Sequence, residues 1–178
     1  MLSTTVVSAT QFDLVLLVLR VVAGFTLFLH GYNKLFRGGK IAGTAGWFES
    51  LGMRPGKLHA WAAALTETGA GLMLVAGLLT PFAAAGLIGI MVVAARTDHR
   101  GAFFMFKNGW EYVMVLGFLA WGISGIGPGQ WSLDHVLGIE DTLTGDWRGV
   151  LIPTVLGVGA GVLTLLVFHR PDPPAESA

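Results

Sequence analysis

Apolar residues fall in five long runs along the chain, at about 12–30, 58–79, 82–96, 112–127 and 150–168, separated by segments rich in charge, glycine and tryptophan. Crossing the hydrocarbon of a bilayer takes roughly 20 mostly apolar residues in a helix, so each run is read as a transmembrane helix. The last run contains no charged residue. Thr80-Pro81 separates the second run from the third so tightly that these two form an antiparallel hairpin. Two connecting segments are not ordinary loops. Ile41, Ala45, Phe48 and Leu51 fall near helical spacing, which predicts a short helix lying in the interface. The run Phe103-Phe104-Met105-Phe106 is too apolar for a solvated loop and is expected to dip into the same interface. Trp61, Trp110, Trp131 and Trp147 sit near the ends of the runs, where indole rings prefer to lie. The expected fold is all-α: an integral membrane helical bundle with a four-helix core and a fifth transmembrane helix, forming one domain over residues 1–170. The proline-rich stretch 171–178 is expected to be a disordered tail.

Composition reinforces that reading. The chain has 178 residues, 53% hydrophobic and 12% charged, about half the usual charge of a soluble domain. Net charge is zero, so the basic footprint that nucleic acid requires is missing. There is no cysteine, which removes disulfides, thiol relays and thiolate-held clusters from consideration. The beginning of the chain lacks a basic stretch and a small-residue cleavage site, so the first run is read as a retained helix. Charge then orients the bundle. Lys34, Arg37, Lys40, Arg54 and Lys57 follow the first run, and Arg96, Arg100 and Lys107 follow the third. Asp134, Glu140, Asp141 and Asp146 crowd the segment after the fourth. The excess of lysine and arginine on cytoplasmic loops predicts an external N-terminus, a cytoplasmic C-terminus and, for a bacterial protein, a place in the inner membrane.

Several polar residues are at odds with a plain lipid-facing bundle. Arg20 and Glu67 lie near the middle of the first and second runs, and a charge at that depth costs about 2.5–3.5 kcal/mol on insertion scales. Opposite charges at matching depth offset that cost by pairing, so a direct Arg20–Glu67 contact is expected. It serves either as a lock on helix register or as a ligand or proton-handling site. Arg20, Gly24, Leu27, Gly31 and Lys34 share one face of the first helix, and Ala60, Ala64, Glu67 and Gly71 share one face of the second. The glycines allow close approach of a neighbouring helix or a flat ligand. A second group of polar residues, His30, Lys34, His59, His99, Lys107 and Glu111, gathers near the basic end. Lys107 and Glu111, four apart, are placed to pair. The histidines come from different helices without ligand spacing, which disfavours metal or haem and favours an anionic or quinone headgroup held by Lys34 and His30, with Glu111 orienting them. Gly127-Pro128-Gly129 ends the fourth helix, and Ser132 and Asp134 are read as a capped turn or an external partner face. Gly157 and Gly161 give the fifth helix a small face for helix association.

These pieces in order resemble the DoxX family of small bacterial membrane proteins. The resemblance rests on the Arg20 helix running into His30-Gly31-Tyr32-Asn33-Lys34-Leu35, then Glu67-Thr68-Gly69-Ala70-Gly71 leading to Gly77-Leu78-Leu79-Thr80-Pro81. The Glu111 helix closing in Gly-Pro-Gly-x-x-Ser-Leu-Asp completes it, over about Asp13 to Asp134. The resemblance implies a membrane-embedded bundle with Arg20, His30, Lys34, Glu67 and Glu111 as its shared polar residues. Some relatives resemble a small subunit of a thiosulfate:quinone oxidoreductase, and others are linked to redox or oxidative-stress complexes. The fifth run and the acidic segment before it depart from the four-helix pattern. The first functional expectation is therefore a redox-associated subunit that binds a quinone-like or lipid-like ligand near its buried charges, among membrane lipids and with a protein partner or a second copy. The alternatives are a non-catalytic scaffold for a partner complex and a small transporter or lipid-handling protein. The transporter reading is weakened by the lack of an inverted repeat.

Overall fold

The computed structural model describes residues 8–171, and the tail expected at 171–178 lies outside them but for its first residue. The described residues are almost wholly helical, which bears out the expected helical membrane bundle. Helix α1 spans Ala9–Phe36, α2 Lys40–Ser50, α3 Gly56–Ala76, α4 Thr80–Thr97 and α5 Glu111–Ile126. Two short helices, α6 (Leu133–Val136) and α7 (Glu140–Thr144), lead into α8, Arg148–Phe168. Three of these, α1, α4 and α8, are long and apolar enough to cross a membrane, and α5 is a shorter apolar helix.

Local chemistry accounts for several boundaries. Ser8 starts α1 with a capping box: its hydroxyl accepts from Gln11 N at 3.2 Å, while its own N–H donates to Gln11 Oε1 at 3.0 Å. The helix then runs to Phe36, six residues beyond the expected end of the apolar run, so that Lys34 lies on α1 as its shared face with Arg20 and Gly31 predicts. The helix expected around Ile41–Leu51 is α2. Residues 103–106 fold on themselves, with Phe103 edge-on to both Phe104 and Trp110 at ring separations of 5.2 and 5.0 Å. In α8, Pro153 supplies no N–H, and the backbone slips into a π-helical turn over Pro153–Val158. Thr154 in that turn accepts from the Trp121 indole at 3.0 Å, which ties α8 to α5.

The main seam joins α1 to α3, which run antiparallel. Their backbones touch where Gly24 meets Gly71: a Cβ on Gly71 would sit 2.6 Å from Gly24 O, and Gly31 is as closely opposed to Thr68. This register places Arg20 opposite Gly77 and Glu67 opposite His30 and Gly31. The two charges therefore lie about 15 Å apart along the seam, at 1.5 Å per residue. Leu27, Leu74, Ala84, Leu87 and Ala120 form the bundle core beside it. Helix α8 packs along α4, with Gly161 against Val92 and Gly157 against Ile88.

Candidate functional site

At the acidic end, the turn between α3 and α4 is locked by a residue far along the chain. The Asp134 carboxylate is wholly buried. It accepts from Leu79 N at 2.7 Å, from Thr80 N at 3.0 Å and from the Thr80 hydroxyl at 2.7 Å. It thereby satisfies the free N–H groups at the start of α4, where a negative charge is also favoured by the helix dipole. Asp134 N donates in return to Gly77 O at 2.9 Å. Arg20, also wholly buried, extends into this knot and donates through Nη2 to Trp131 O. Its guanidinium lies over Gly77, where any Cβ would overlap it and where φ is +64°. Asp13 accepts from Gln130 N at 2.9 Å, and Asp13 and Asp134 place negative charge near Arg20, whose Nε and Nη1 have no hydrogen-bond partner among the described residues. The knot fastens α1, the α3–α4 turn and the segment after α5.

The other buried pair lies near the basic end. Lys34 Nζ donates to both oxygens of Glu67, at 2.9 and 2.7 Å. The side chains are only 15% and 5% exposed. Tyr112, in the first turn of α5, lies close enough to Glu67 to feel its charge, and its hydroxyl is 3.3 Å from His30 Nε2. The Lys34–Glu67 pair stands in the wall of a cavity of about 220 Å³ between α3, α4 and α8, and that wall is otherwise mostly apolar. His59 lines its basic end. The His59 ring is buried between Phe48 and Phe168, at ring separations of 6.1 and 5.0 Å, and its Nε2 has no protein partner.

This arrangement corrects the expected Arg20–Glu67 contact. The seam register separates those residues, and the added turns of α1 bring Lys34 to Glu67 instead. Of the expected basic-end group, Lys34 and Glu67 meet, His30 joins them through Tyr112, and His59 reaches the same cavity. Glu111 does not join: as the first residue of α5 it turns back and accepts from Met105 N at 2.9 Å. Nor does it meet Lys107, whose ammonium lies 5.9 Å from the centre of the Phe106 ring. His99 Nδ1 sits 3.2 Å from Gly109 O and 10 residues away from it in sequence, a loop contact. Tyr112 was missed because the acidic residue beside it drew the chemical reading. Helical phase, which turns Glu111 outward and Tyr112 inward, would have distinguished them. Among the described residues no group of three or more His, Asp or Glu side chains is placed to hold a metal ion.

Long apolar helices, a glycine-lined seam and charges buried between helices define a multi-pass helical membrane protein. The model of the DoxX family matches residues 15–100, so this stretch of the chain is similar to the DoxX family. The matched stretch covers α1 to α4, with both Lys34 and Glu67; α5 to α8 lie beyond it. No curated protein and no solved structure matches the chain.

Proposed function

We propose that this protein is a member of the DoxX family and a membrane-embedded binding subunit whose cavity takes a quinone-like or lipid-like amphipath, its polar head toward Lys34 and Glu67. The observation that carries this reading is the ion pair itself, set into a cavity whose lining is otherwise mostly apolar. A charged pair used only to fix register gains nothing from standing beside open space, because exclusion of other groups strengthens it. A pair bordering a cavity offers a bound head a cation whose third proton is free to donate and a carboxylate that accepts. The redox association follows from the family resemblance. With no cysteine in the chain, electrons delivered to a bound quinone would come from a partner subunit. The charge asymmetry supports an orientation with the Lys34 end in the cytoplasm of a bacterial cell and the acidic segment outside. The test is extraction in mild detergent, mass spectrometry of retained small molecules, and thermal stability with added quinone. A retained amphipath or a stabilising quinone is expected. A protein that retains none and is not stabilised contradicts the reading.

A further inference from the structure

The cavity is bounded on one side by α8, which lies outside the stretch that the family model matches. Small residues on transmembrane helices ordinarily let two helices close on each other. Here they do not. Ala62 and Ala63 of α3 and Ala160 and Thr164 of α8 line the same space, yet α3 and α8 both pack on α4 and meet each other only toward the basic end, where Leu165 and Phe168 reach the side of α3 that carries His59 and Ala63.

Two fastenings fix where α8 runs. Toward the acidic end, Gly157 and Gly161 fit α8 closely onto α4. At the basic end, the chain leaving α8 is clasped to the turn between α2 and α3. Arg54 N donates to Phe168 O at 3.2 Å, Arg170 N donates to Gly52 O at 2.6 Å, and Met53 and His169 pair as an isolated antiparallel bridge. Between these points Ala160, Thr164 and Phe168 recur every four residues along one face. The first two line the cavity, and the third packs on His59 at its end.

Resting on the binding function proposed above, we infer that α8 is a working wall of the site, and that Ala160 and Thr164 set the width of what it admits. The occupant is a slim neutral amphipath, with one alkyl chain or one flat ring and a small polar head, and not a two-chain phospholipid. Two features support this class. The Lys34–Glu67 charges cancel, and the third charged residue of the lining, Asp98, is a carboxylate 3.5 Å from His99, so an anionic head would find no unpaired cation in a poorly hydrated site. The volume of about 220 Å³ falls below the 300–1,000 Å³ typical of pockets for drug-sized ligands.

The full-length protein, stripped of co-purified lipid in detergent, is titrated with an alkyl quinone, a monoacylglycerol and a diacyl phosphatidylglycerol, and thermal stability is followed. The wild type is expected to be stabilised by at least one of the two slim probes and not specifically by the phospholipid; which slim probe works separates a quinone from a lipid source. Ala160→Leu and Thr164→Leu are each expected to weaken that probe about tenfold, while Leu163→Ala, on the exposed face of α8, leaves it unchanged. Should Ala160→Leu fail to fold, Ala160→Val is read in the same titration, with a loss of about threefold expected. Binding as tight in the wall variants as in the wild type overturns the role of α8 and leaves the binding function standing. Stabilisation by the phospholipid alone overturns the slim-ligand assignment. No stabilisation by any probe overturns the binding function and this inference together.

Discussion

Lys34 and Glu67 meet across the α1–α3 seam through both carboxylate oxygens, at 2.9 and 2.7 Å, while Arg20 reaches the opposite end of the bundle and donates to Trp131 O. These two cations of α1, Arg20 wholly buried and Lys34 partly so, therefore serve different ends. Arg20 helps hold the acidic-end turn together, and Lys34 holds Glu67 at the cavity. Removing one partner of a buried pair leaves the other charge uncompensated, at a cost of about 3–5 kcal/mol. Lys34→Ala and Glu67→Ala are each expected to destabilise strongly, and Glu67→Gln less, because the amide still accepts from Lys34. In double-mutant cycles by reversible unfolding in detergent, Lys34 and Glu67 should couple by more than about 1 kcal/mol, and Arg20 and Glu67 should be additive within about 0.5 kcal/mol. The opposite pattern would restore the Arg20–Glu67 pairing.

Asp134 accepts three hydrogen bonds from the start of α4. Bonds to a charged acceptor contribute about 1.5–3 kcal/mol each, and they are not additive when they share one carboxylate. Asp134→Ala is expected to cost about 3 kcal/mol, and Asp134→Asn less, since one oxygen remains. Thr80→Ala, which loses only the hydroxyl bond, should cost about 1 kcal/mol. Thermal unfolding of the three variants gives the order. Equal stability for Asp134→Ala and the wild type would remove Asp134 from its capping role.

Glycines on α3 divide by what faces them. A Cβ at Gly71 would press on Gly24 O and on the backbone of Phe28, whereas Gly69 has nothing within 4 Å. Gly71→Ala is expected to destabilise the α1–α3 seam. Gly69→Ala is expected to be neutral or stabilising by up to about 1 kcal/mol, the helix-propensity difference between the two residues.

The clasp at the end of α8 should respond to pH through His169. Burial pushes the His169 imidazole below its ordinary value of 6.5, and the positive charges of Arg96, Arg100 and Arg170 push it the same way, against a hydrogen bond to the Leu51 backbone. Its neutral form is the one the folded clasp accommodates. The clasp's stability is thus fully present above pH 6.5 and falls as acidification carries the pH down through the lowered folded value. Backbone hydrogen exchange at Gly52–Arg54 and Phe168–Arg170, corrected for its intrinsic pH dependence, should lose protection on acidification. His169→Phe should abolish that dependence, and unchanged protection in the wild type would exclude the role.

Much of the bundle was legible in the order of residues, because lipid imposes long apolar runs and small residues mark close helix approach. The stripes Arg20–Gly24–Leu27–Gly31 and Ala60–Ala64–Glu67–Gly71 are indeed the buried faces of α1 and α3. The partner of each charge was not legible. It depends on a seam register set by the contact of Gly24 with Gly71, and on α1 running on to Phe36, so that depth judged from apolar runs misplaced Arg20 against Glu67. The Thr80–Asp134 bond joins residues 54 positions apart, a contact that periodicity cannot reveal. The cavity was equally hidden, since one wall is Ala160 and Thr164 on a helix that carries no charge to draw notice.

A density map of the protein extracted with its native lipids tests the central claim most directly. Density for a slim molecule in the cavity between α3, α4 and α8, with its head at Lys34 and Glu67, is the predicted result. A cavity closed by contact between α3 and α8, or an empty one while ordered lipid covers the outer faces, would contradict it.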